Sequence, residues 1–184
     1  MAKLRAPSSV QVGLNFSFLS ITGTWEPNDE ERKAAWELYV ELNTRIAVVP
    51  LKADEGLLRE ALSSLYALFA ITRDILRRYG PETAEPKPKG QYNFGVLAVA
   101  MLNFGIRPLL AQWHPALEDW EASKPPKRSR TEHERSWPRE PDLRAAVETT
   151  RALLAQYAQL MATACGVPDL LTAVAPVTQP PEHA

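Results

Sequence analysis

Asn103, Arg107, His114 and Glu118 follow one another at spacings of four, seven and four residues. On an α-helix those intervals place side chains along one stripe. Their types suit an anion or a polar ligand. Arg107 supplies a fixed positive charge, Asn103 and His114 supply orienting hydrogen bonds, and Glu118 can orient His114 in turn. The stripe runs through the almost wholly apolar stretch from Gln91 to Glu121, where a polar group that lacks a partner is costly to bury. Two accounts satisfy it: a ligand cleft around Asn103, Arg107 and His114, or an acidic residue on a neighbouring helix that pairs Arg107. Gly105 and Pro108 interrupt the stripe, and Pro108 has no amide to donate to the carbonyl of residue 104, so a kink is expected there. Pro115 is read either as a second kink or as the first turn of a fresh helix.

Other chemistry is sparse. The three histidines do not converge, since His133 sits in a charged connector and His183 near the C-terminus. Inward-facing Glu-x-x-His pairs of the kind that hold metals in helical bundles are missing, and no metal or other cofactor is expected. Cys165, between Ala164 and Gly166 at a helix end, reads as an inert buried thiol. Neither a glycine-rich phosphate loop nor a nucleophile elbow occurs, so no catalytic residue is nominated and an enzyme is the less favoured reading. Lys124, Lys127, Arg128 and Arg130 form one basic cluster, but Glu132 and Glu134 follow at once and no aromatic platform accompanies it. A solvated loop explains that cluster better than a nucleic-acid surface. Trp137 reads as the anchor that returns this loop to the core, with Trp113 and Trp120, seven residues apart, on one helical face.

These residues need positioning elements. Val10, Val12, Leu14, Phe16 and Phe18 alternate with Gln11, Gly13, Asn15 and Ser17, the period of a half-buried strand. Its backbone must pair with a return segment near Ser20 to Trp25, with another subunit or with a partner protein, or else lie extended along a helical groove. Val10, Val12, Leu14, Phe16 and Phe18 are therefore also candidates for partner binding by strand addition. Asn28 and Glu31 predict a capped helix from about Asp29 to Val48. A second helix opens at Asp54 and carries Leu58, Ala61, Leu65, Leu68, Thr72, Ile75 and Tyr79 in heptad alternation up to Gly80 and Pro81. A third begins near Gln91, and a fourth runs from Pro141 through Leu143, Val147, Thr150, Leu154, Tyr157, Met161 and Ala164 to Gly166. The fold class expected is mainly α: a four-helix bundle, up-down-up-down, with an N-terminal extended segment or β-strand over residues 1–25. Residues 124–140 form the charged, proline-rich connector, and residues 168–184 a tail.

With 184 residues, 45% of them hydrophobic, one domain over residues 1–184 is expected. Net charge near −1 gives no field to attract nucleic acid or acidic lipid. The apolar run from Phe94 to Ile106 falls short of the roughly 20 residues that cross a bilayer, so no membrane partner is expected. A single cysteine cannot form an internal disulfide, and MAKLRAPSS lacks a signal-type apolar stretch, which together imply a cytoplasmic location. The functional expectation is a non-enzymatic interaction protein, an adaptor or regulatory subunit of a bacterial multi-protein system that acts through a protein partner or as a homo-oligomer. The alternative is a small-ligand sensor or an enzyme built around the Arg107 stripe.

Overall fold

The computed structural model describes residues 6–16, 19–45 and 55–170. Those residues form a mainly helical protein with a small three-stranded sheet. Strand β1 (Val10–Phe16) turns back on β2 (Leu19–Trp25) as an antiparallel hairpin, with Val10 opposite Trp25 and Phe16 opposite Leu19. The return segment is thus this chain's own. A two-residue strand β3 (Gln91–Tyr92) adds in parallel to the end of β2, giving the order β1-β2-β3. Gly23 permits this addition, because a Cβ there would stand 2.3 Å from the carbonyl oxygen of Gly90.

The alternation along β1 places Val10, Val12, Leu14 and Phe16 in the core, on the side where the sheet meets the last helix. Those four side chains belong to the core. Phe18 lies outside the described residues.

Helix α1 (Asp29–Asn43) opens with the capping box expected of Asn28 and Glu31. It ends at Asn43 with Thr44 as its C-cap, short of the Val48 that the sequence suggests. Helix α2 (Leu58–Tyr79) buries its heptad seam and stops at Gly80, before a 3₁₀ turn (Pro81–Ala84). The third helix starts later than its periodicity suggests. Gln91 and Tyr92 are held extended by β2, and Asn93 caps the helix by accepting from Val96 N at 2.8 Å. From there α3 (Phe94–Ala100), a π-helical segment (Met101–Ile106) and α4 (Arg107–Ala122) run without a break for 29 residues. Length and composition would let this helix cross a membrane, beyond the apolar run alone, yet more than half of its most apolar window is buried against other elements of the fold. Helix α4 continues through Pro115, which neither ends it nor starts a new one.

The charged connector is more ordered than a loop. Ser129 and Glu132 make a capping box for α5 (Arg130–Arg135), and Trp137 packs edge-on against Trp113 and stacks on Trp120. Helix α6 (Glu140–Cys165) ends at Gly166, whose φ of 67° is the left-handed helix stop. The Cys165 thiol donates to the carbonyl of Arg32 and is pushed up to about 11 by burial, in keeping with an inert thiol.

One carboxylate fastens three of these elements. Glu31, fully buried, accepts from Trp25 Nε1 at 3.1 Å, Asn28 N at 2.7 Å and Phe94 N at 2.9 Å, with Lys87 Nζ 3.4 Å away. It therefore closes the first turns of α1 and α3 together, where both helix dipoles favour negative charge. An amide in its place would turn an NH2 toward donors. Glu31→Gln is expected to cost about 2–4 kcal/mol in urea unfolding, as for other buried charge networks that lose a partner.

Candidate functional site

Helices α2 and α4 face each other in opposite directions, and their facing side chains form a ladder of three rungs. On α2 the rungs are Arg59, Tyr66 and Arg73; on α4 they are Glu121, His114 and Arg107, each set seven residues apart. At the first rung Arg59 forks onto Glu121, with Nη2 to Oε2 at 2.6 Å and Nε to Oε1 at 3.0 Å. At the second, the rings of Tyr66 and His114 lie 6.1 Å apart. At the third, Arg73 and Arg107 line the same cleft, a space of about 700 Å³ completed by Phe69, Leu110 and Ala111.

The rungs differ in how they are satisfied. Arg59 also brings Nη1 within 3.3 Å of His114 Nε2, so the imidazole lies between a paired guanidinium and an aromatic ring. Arg107 rests on the Phe69 ring at 5.2 Å and donates from Nε to Asn103 Oδ1 at 3.0 Å. Among the described residues no carboxylate forms an ion pair with Arg73 or Arg107. The cleft therefore presents two guanidiniums, an exposed tyrosine ring and an imidazole on an apolar floor.

The stripe read from the sequence is divided by the π segment. Arg107 N donates to Leu102 O, five residues back, which marks one residue more than an α-helical turn holds. Such an insertion rotates the succeeding helix by about 100°. Gly105 makes the segment fit, since a Cβ there would meet Met101 Sδ at 2.8 Å and Leu153 Cδ2 at 3.1 Å. Consequently Arg107 and His114 line the α2–α4 cleft, whereas Asn103 lines a separate apolar groove of about 720 Å³ beside Val96, Val99, Phe104 and Leu76. Glu118 is exposed and borders neither recess; Glu121 acts on His114's surroundings instead, through Arg59. Arg59, Tyr66 and Arg73 lie off the α2 seam that the sequence displays. Their signal is the seven-residue spacing of Arg59, Tyr66 and Arg73 along its flank.

Beyond the first rung, a second carboxylate anchors the helix pair. Leu57 offers α2 no side-chain cap, and Glu134 of α5 takes that place, accepting from Leu58 N at 2.7 Å and Arg59 N at 3.3 Å. Close by, His133 stacks on Trp120 at 4.6 Å, and Trp120 Nε1 donates to the His133 carbonyl.

The comparisons with known proteins leave this arrangement on its own: no protein-family model, no curated protein and no solved structure matches the chain.

Burial raises the Glu134 carboxyl above its ordinary value, and the two backbone donors only partly oppose that. A raised folded-state pKa contributes stability that is complete below the unfolded value and is lost as pH rises through the folded one. Wild type should therefore lose stability relative to Glu134→Gln as pH rises upward from about 4.3, the ordinary glutamate value. Urea midpoints of both proteins across that range measure the difference; a flat difference would remove the assignment.

Proposed function

We propose that this protein is a non-enzymatic binding protein that takes an anionic ligand between α2 and α4, as the sensing or regulatory part of a larger system. The observation that carries the reading is the Arg73 and Arg107 rung, two like charges on facing helices that line one cleft without a carboxylate partner among the described residues. Like charges that line one cleft repel, and an anion between them would replace that repulsion with charge-assisted hydrogen bonds. Arg107 is preorganised for this by Asn103 and Phe69, which hold its guanidinium in place before any ligand arrives. The framework assumed is a four-helix bundle of α1, α2, the helix from Phe94 to Ala122 and α6. Its support is that α1 packs on α2 and α6, and α4 packs on both as well.

Thermal unfolding with pyrophosphate tests the cleft. Midpoints should climb with pyrophosphate concentration and fall back as salt is added, and Arg107→Ala or Arg73→Ala should weaken the apparent affinity about tenfold or more. No shift at millimolar pyrophosphate, or an undiminished one in both variants, would sink the reading.

One further observation favours recognition of a protein partner at a different place. Strand β1 ends the sheet, carries no charge and no proline, and keeps an unbroken register over 7 residues. Thr24 N points away from β1 to Gly90 O, so the opposite residues Gln11, Gly13 and Asn15 aim their backbone groups outward. An unguarded edge of this kind accepts an added strand, from a partner or a second copy. In this reading contact runs through the backbone at Gln11, Gly13 and Asn15. Light scattering should show an assembly that dissociates in the double variant Gln11→Lys with Asn15→Lys; a monomer at all concentrations that also captures no extended peptide would remove it.

A further inference from the structure

Resting on the anion reading of the α2–α4 cleft, we infer that its ligand is a nucleoside diphosphate, or a molecule of the same build, with a planar ring and an anionic end about 10 Å apart. The distance follows from the ladder. Seven residues separate the guanidinium rung from the ring rung, and each adds about 1.5 Å along the helix. A nucleotide's terminal phosphate and base are separated on that scale, and inorganic phosphate alone would fill only one end.

The surface between the rungs suits such a molecule. Tyr66 is 64% exposed, an unusual position for a large aromatic ring, and it borders the cleft. From it neighbouring rings lead to the charge: the Tyr66 and Phe69 rings are 6.3 Å apart, and Arg107 lies 5.2 Å over Phe69. His114, its ring 6.1 Å from that of Tyr66, lines the same cleft and is able to bond a ring edge or a sugar hydroxyl. The floor is apolar, from Leu110 and Ala111. No acidic side chain lines the cleft to repel a polyanion. Stacking on an open ring is tolerant of base identity, so affinity here depends on the presence of a ring more than on its pattern of hydrogen bonds.

Isothermal titration of the full chain with pyrophosphate and with ADP separates the ring from the anion. ADP should bind about tenfold more tightly than pyrophosphate, the gain of one stacked base. Tyr66→Ala should bring ADP down to the pyrophosphate affinity while pyrophosphate binding is unchanged, and Tyr66→Phe should keep the gain. Arg107→Ala should weaken both ligands together. Equal affinities for ADP and pyrophosphate in the wild type, or a gain that survives Tyr66→Ala, would overturn the inference while leaving the anion cleft standing. Failure of pyrophosphate and ADP alike would bring down both.

Discussion

A buried carboxylate at the junction of three elements is the constraint on which the rest of this fold depends. An indole, two backbone amides and a lysine converge on the Glu31 carboxylate and satisfy it in the interior. Those donors come from β2, from the start of α1, from the start of α3 and from the segment that precedes β3. Satisfying one side chain thus fixes the hairpin, sets where the long helix begins and holds Lys87 inward. Arg32, the next residue, extends the fastening by donating to the carbonyls of Ala164 and Pro7, so the end of α6 and the approach to β1 are tied to the same turn.

From that corner the long helix leads into the ladder with α2, where the three rungs show three different solutions to one packing problem. Opposite charges close the end nearest Glu134, rings meet in the middle, and like charges stand at the open end. A helix pair selected for stability alone gains nothing from two guanidiniums facing one recess. The gradient along the ladder, from paired to unpaired charge, is what distinguishes this surface from the α1–α2 side, where Glu37 takes both Arg78 and Tyr79.

Periodicity made much of this legible. The β1 alternation, the α2 and α6 seams, the Asn28 cap, the Gly166 stop and the tryptophan anchor at Trp137 all rest on local spacing, and local spacing is what a sequence displays. The late start of α3 was not legible, because Gln91 and Tyr92 are drawn into the sheet by a partner far earlier in the chain. Helix α5 was hidden under charge and proline, although Ser129 and Glu132 carried the capping signature. The candidate site was half visible: Arg107 and His114 stood out as polar interruptions in an apolar run, whereas Arg59, Tyr66 and Arg73 looked like the ordinary wet flank of an amphipathic helix. Only the pairing of two flanks, a long-range property, gives the second set its meaning.

The π segment between α3 and α4 converts length into angle. A change of one residue in a loop displaces the downstream element along the chain; the same change between Met101 and Ile106 rotates an entire helix about its axis while its ends hardly move. Register between α2 and α4 is therefore a matter of phase. The segment's length, more than its composition, decides whether Arg107, His114 and Glu121 meet their counterparts or turn toward solvent. Asn103, standing at the point where the phase changes, belongs to both recesses: it lines the apolar groove while its oxygen steadies Arg107.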